Sequence, residues 1–226
     1  MFIGVVAPGR SEPTSSVLDG RVLVTWYGNP RSVRMGILGE QAPDVRAAAL
    51  TRQAAAYAPF TTAPVLMAYH LAAVVATCTA GADGAWRRRE TPGVIRSLLD
   101  EARANGFRLI LDIQPGRSTV AAEVAALEPF LREPDVDLAL DPEFATSDCQ
   151  VPGRQIGQMS AEDVNSAIAA LEAMIAAGRL PPKILIVHQF RLDMIREKSQ
   201  IRSSPVVDVV LDMDGFGTKA LKRASY

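Results

Sequence analysis

Runs of branched apolar residues recur along the chain, and between them the apolar positions switch to three- and four-residue spacing. The runs read as strands at Arg21–Tyr27, Pro64–His70, Phe107–Gln114, Val136–Glu143, Lys183–Gln189 and Val206–Asp214. Several are near-continuous in Val, Ile and Leu, as in strands covered on both faces. Helical periodicity fills Pro43–Tyr57, Pro92–Asn105, Ser118–Leu131 and Ser160–Ala177. In the last of these, Val164, Ile168, Leu171 and Ile175 form one stripe, opened by a Ser160/Asp163 start signal and stopped by Gly178. Arg191–Ile201 reads as a shorter polar helix, and Thr218–Tyr226 as the beginning of another.

Strand–helix alternation implies a parallel α/β sheet. The expected fold is a TIM-barrel-like (β/α) repeat with six units visible, and the alternative is an open doubly wound parallel sheet. A closed eight-unit barrel takes about 250 residues, so this chain reads as an incomplete barrel, C-terminally truncated by two units, with open strand edges through which it would self-associate. Residues 1–20 read as a polar tether and 21–226 as one domain. Connections from helix to strand are short. Those from strand to helix are long at Gly28–Ala42, Leu71–Thr91 and Phe144–Met159, at the carboxyl ends of the strands, where both folds carry their sites.

The strand ends also change chemistry, as in Leu111-Asp112-Ile113-Gln114, Leu140-Asp141-Pro142-Glu143, Val187-His188-Gln189 and Leu211-Asp212-Met213-Asp214. Alternation places Asp112 with Gln114, Asp141 with Glu143, and Asp212 with Asp214. One Asp ending a strand is ordinarily a cap or a turn former. Several carboxylates and a histidine at one mouth are the arrangement for acid–base work, because repulsion and desolvation raise some of their pKa values. Asp141-x-Glu143 suits glycoside hydrolysis, in which one carboxyl protonates the leaving oxygen and another attacks or activates water. Glu143, Asp141, Asp212 and Asp214 are the candidate catalytic carboxylates. Asp112, Gln114, His188, Gln189, Tyr27, Tyr69, His70 and Trp86 complete the candidate binding surface, the aromatic residues as sugar-stacking platforms.

The D-x-E strand end resembles those of the TIM-barrel glycoside hydrolases of the lysozyme-like family 25 and the chitinase-like family 18. That resemblance implies Glu143 as general acid, Asp141 as its electrostatic partner, and Asp212 or Asp214 as a further carboxylate orienting water or substrate. The longer aspartate series of the second family is missing here, since positions 137 and 139 are Asp137 and Ala139. Over a longer span, WYGNP, MGILGE, LDIQPGRS, LALDPEF, VHQF and DGFG look like an uncharacterised bacterial TIM-barrel-like family, often exported or lipid-anchored. That resemblance covers most of the chain from Val22 onward and implies a barrel-like body and an extracytoplasmic setting.

Composition narrows the partners. A net charge of −1 over 226 residues gives no field for nucleic acid or anionic lipid, and no apolar run reaches the roughly 20 residues of a membrane span. Met1–Ala7 lacks the basic and apolar regions of a secretory signal. Cys78 and Cys149 read as free thiols. The expected partner is a carbohydrate or another small polar ligand, with no cofactor and no metal.

Two further readings compete. Asp112, Glu143, His188 and Asp212 form a ligand set for a divalent metal in an isomerase- or phosphodiesterase-type enzyme. The same acidic mouth also suits a non-catalytic carbohydrate- or cell-wall-binding protein. Gly215-Phe216-Gly217-Thr218-Lys219 matches no phosphate-binding fingerprint, Arg87–Arg89 reads as a solvated charge run, and no G-x-S-x-G is present.

Overall fold

The structure is a computed structural model, described for residues 16–147, 150–215 and 218–224. Its elements run β1 (Val22–Gly28), α1 (Pro43–Ala55), β2 (Val65–Ala76), β3 (Arg87–Arg89), α2 (Pro92–Ala104), β4 (Arg108–Ile113), α3 (Val120–Leu131), β5 (Val136–Leu140), β6 (Met159–Ser160), α4 (Ala161–Gly178), β7 (Lys183–Gln189), β8 (Ile195–Arg196), β9 (Val207–Met213) and α5 (Lys219–Ala224). The six long strands pair in parallel in the order β1-β2-β4-β5-β7-β9. That order follows the chain without reversal. A doubly wound sheet requires a reversal to cover both faces with helices, whereas same-handed crossovers in chain order put every helix on one side. The result is a curled parallel sheet forming a half-barrel of six strands.

Strand alternation divides the sheet into two chemistries. On the convex side Val24, Tyr69, Leu71, Leu109, Leu111, Leu138, Leu140, Leu185 and Val187 pack against α1–α4 in one large core. The concave side is lined by Leu23, Ala68, Ile110, Ala139, Ile184 and Ile186. Val17 and Leu18, within the stretch expected as a polar tether, are buried in this concave layer. Their backbone N–H groups donate to Asp208 Oδ2 at 2.7 and 2.9 Å, which closes the amino end of the half-barrel. Beside them Arg108 makes a forked pair with the buried Asp137. Among the described residues β1 pairs only with β2 and β9 only with β7, so both edges are open.

Several expectations change. β2 continues past His70 to Ala76, and its end pairs antiparallel with β3, so much of the expected Leu71–Thr91 loop is sheet. Arg87–Arg89 is solvated only in part, at Arg88 and Arg89. Arg87 and Arg89 clamp the fully buried Glu123 at the start of α3, at 2.8 and 2.7 Å, and Arg88 stands 3.5 Å from Glu90. Arg191–Ile201 is not a helix either, but two 3-10 turns flanking β8. Its charges are used locally, in an Arg191–Asp193 pair and a bond from Lys198 Nζ to Gln189. Ser160 and Asp163 do form a full capping box for α4, which ends on Arg179 in the left-handed conformation, directly after Gly178. Cys78 is an exposed free thiol, while Cys149, Phe216, Gly217 and Tyr226 lie outside the described residues. No helix among the described residues is long and apolar enough to cross a membrane.

Candidate active site at the carboxyl ends of the strands

Each long strand, or the turn just after it, brings a polar side chain to the concave side: His70 stands midway along β2, opposite Ile110, and Asp112 stands opposite Ala72 and Ala139, so the set steps along the register from strand to strand. Tyr27 stands opposite His70 on β1 and β2, and His188 opposite Asp212 on β7 and β9. Asp112 comes from β4, and Asp141 and Asp214 from the residues just after β5 and β9. Above them opens a cavity of about 430 Å³ whose polar wall is Tyr27, Gln114, Asp141, Glu143, His188 and Asp214. His70 and Asp112 are fully buried beneath it.

His188 is the hub. Its Nδ1 lies 3.3 Å from Asp214 Oδ2 and 3.5 Å from Asp212 Oδ2, while Nε2 faces Asp112 Oδ1 at 4.0 Å. Its ring stacks on His70 with centroids 5.1 Å apart, and Tyr27 meets the His70 ring edge-on at 5.2 Å. Burial alone pulls the His188 pKa down. The carboxylates of Asp212 and Asp214, together with Asp112 and Asp141, outweigh burial and hold it well above its ordinary value. His70 goes the other way, pushed well down by burial and by the neighbouring His188.

The carboxyls respond to the same crowding. Burial pushes Asp112 up to about 6 against the pull of His188 and the Tyr27 hydroxyl, and among the described residues neither of its oxygens has a hydrogen-bond partner of normal geometry. Burial, followed by the charge of Asp112, raises Asp141 well above its ordinary value. Half-buried Glu143 is raised by burial and then by Asp214, with His188 opposing. The Tyr27 hydroxyl accepts from Gln114 Nε2 at 2.9 Å, and burial beside Asp112 and Asp141 lifts its pKa well above the ordinary value.

Asp141 and Glu143 do not share a strand face. β5 ends at Leu140, Asp141 caps a 3-10 turn over Pro142–Phe144, and its Oδ1 accepts from the Glu143 N–H at 3.3 Å. Asp141 is therefore both a cap and part of the cavity wall. Three other expected residues lie elsewhere. Tyr69 points to the convex side, where it packs against Phe107 at 5.4 Å under the Arg46 guanidinium. Gln189 likewise alternates away from His188 and accepts from Lys198 at 2.7 Å. Trp86 sits outside the cavity wall with Arg117 stacked 4.3 Å over its ring. Asp212 touches His188 from the side without lining the opening.

Arg34, Met35 and Phe144 line the cavity without having been expected there. The signal for the first two is a glycine pair. Gly28 and Gly36 have φ of 145° and 86°, and a Cβ on either would meet the backbone oxygen of Met35 or Tyr27 at 2.4 or 2.6 Å. Only glycine lets the loop after β1 fold back so closely over the strand end.

The tightest group able to hold a metal is His70, Asp112 and His188, all buried, with one ligand atom from each within 4.8 Å of the others. Glu143 and Asp212, expected in such a set, are replaced there by His70. No protein-family model, curated protein or solved structure matches this chain.

Proposed function

We propose that this protein is a glycoside-hydrolase-like enzyme acting on a polysaccharide or cell-wall glycan, with Glu143 as general acid. The observation that carries the reading is the disposition of Glu143 and Asp214 in one open cavity. They follow β5 and β9, on either side of the strand that carries His188, and the charge of Asp214 acts on Glu143. Burial and Asp214 raise the pKa of Glu143, which keeps a proton available for a leaving glycosidic oxygen as its C–O bond breaks. Among the described residues Asp214 Oδ1 has no hydrogen-bond partner, which suits it to orient the attacking water and take its proton. Tyr27 and Phe144 offer ring faces, and Gln114 and Arg34 offer donors for sugar hydroxyls.

The test is a screen of cell-wall and storage polysaccharides with the wild type and Glu143→Gln. The variant should lose about 10²- to 10⁴-fold in turnover while binding glycan and unfolding as the wild type does. Equal cleavage by both would remove Glu143 from the chemistry. Binding without cleavage by either would reduce the site to a carbohydrate-binding one.

A further inference from the structure

We propose that His70, Asp112 and His188 form a binding site for one divalent first-row transition ion of the Zn²⁺ class, held directly beneath the cavity. The three residues come from three parallel strands, β2, β4 and β7, so sheet hydrogen bonding fixes their spacing before any ion arrives. One ligand atom of each lies within 4.8 Å of the other two. His188 Nε2 and Asp112 Oδ1 are 4.0 Å apart, too far for a hydrogen bond. Two ligands each about 2.1 Å from a shared ion stand ~3.4 Å apart in a tetrahedral shell, so a closure of about half an ångström or more brings this pair to coordination distance.

Asp112 supplies an independent observation. Its side chain is completely buried, yet among the described residues neither carboxylate oxygen makes a hydrogen bond of normal geometry, its polar neighbours being the Tyr27 hydroxyl and the His188 ring at 4.0 Å. A buried, unpaired carboxylate costs several kcal/mol unless it is neutralised or bound to a cation. The outer shell agrees with the assignment. Asp212 and Asp214 face Nδ1 of His188, which leaves Nε2 as the ligand atom, turned toward Asp112. This is the carboxylate–histidine–metal arrangement that fixes the tautomer and strengthens the ligand. Two imidazoles and one carboxylate favour Zn²⁺, Co²⁺ or Mn²⁺ over Ca²⁺ or Mg²⁺, which take oxygen-only shells. Three protein ligands leave further coordination open, and His188, which lines the cavity, carries the site to the opening.

The site does not depend on the hydrolytic reading, and its test needs no substrate. The full chain, stripped with a chelator at neutral pH, is titrated with Zn²⁺ alone by calorimetry and with Co²⁺ alone by visible absorption. One ion per chain should bind, with a Co²⁺ spectrum of nitrogen- and oxygen-ligated metal and a raised unfolding temperature. Asp112→Asn, close in shape, and His188→Gln should each lower affinity about 100-fold or more, beyond the cost of losing an outer-shell partner. Glu143→Gln should bind as the wild type does, which separates failure of the acid assignment from failure of this one. Circular dichroism identifies a variant that does not fold, and in that case the Cu²⁺ electron paramagnetic resonance spectrum of the wild type decides, with two nitrogen couplings expected. Absence of stoichiometric binding by the wild type, unchanged affinity in folded Asp112→Asn and His188→Gln, or fewer than two nitrogen ligands would each overturn the proposal.

Discussion

Neighbouring residues on one strand have opposite fates here. Tyr69 and His70 are adjacent in sequence, and so are His188 and Gln189, yet one of each pair enters the site and the other faces the helices. Alternation alone forbids both members of a pair from sharing a face, so the sequence held enough to separate them once a concave side was chosen. The acidic residues were legible for the same reason, since Asp112, Ala139 and Asp212 share the concave face. Glu143 was not, because the strand stops before it and a turn sets its direction. Glycine makes the clearest prediction at this scale. Gly36→Ala puts a methyl group 2.6 Å from Tyr27 O at a φ of 86°, which should cost about 1–3 kcal/mol and pull Arg34 and Met35 off the cavity wall. Urea unfolding measures the first effect and glycan binding the second. Wild-type values for both would show that the loop has room there.

Elements were legible where burial dictates composition. The strand cores and helices α1–α4 lie where periodicity predicts them, because strands covered on both faces have no alternative to Val, Ile and Leu. Polar connections obey no such rule. Arg191–Ile201 has helical composition but folds as turns, with Glu197 left-handed at a φ of 49°, and Arg87–Arg89 pairs as a strand around a buried acid. That acid joins two elements. Burial raises the pKa of Glu123, but Arg89, Ser118 and Arg87 overcome it and hold the carboxyl below its usual value. Glu123→Gln should therefore destabilise the fold by about 2–3 kcal/mol, because it leaves the nearly buried Arg87 with Asp83 as its one remaining anion, and it should loosen β3 from α3. Arg89 is 40% exposed and regains water, so the loss stays near the low end of that range. A loss under about 1 kcal/mol in urea unfolding would mean that water substitutes for the pair.

At the scale of the whole molecule, stability depends on pH through an unusual lysine. Lys183 is buried where β7 begins, and its Nζ donates to the carbonyls of Glu133 and Val136 at 2.6 and 2.8 Å. Burial brings its pKa down from 10.5 to about 8, against the pull of Asp137. Between those values the unfolded chain binds more protons than the folded one, so the penalty for burying the ammonium is complete below about pH 8 and is relieved as pH rises toward 10.5. Unfolding free energies of the wild type and Lys183→Met, measured from pH 7 to 10, should diverge in slope, with the wild type gaining on the variant. Parallel profiles would place the titration elsewhere.

The concave side of the half-barrel is a stack of three strata. At the amino end sit Arg108, Asp137 and Asp208, with Val17 and Leu18 laid across them; in the middle are Ala68, Ile110, Ala139 and Ile186; at the carboxyl end is the acid–histidine group. The middle stratum is apolar, and a low-dielectric layer transmits a field that water would screen. A change of charge in the lower stratum therefore reaches the acid–histidine group above it. The anchoring of this fold and the protonation of its candidate site are coupled through the floor that separates them.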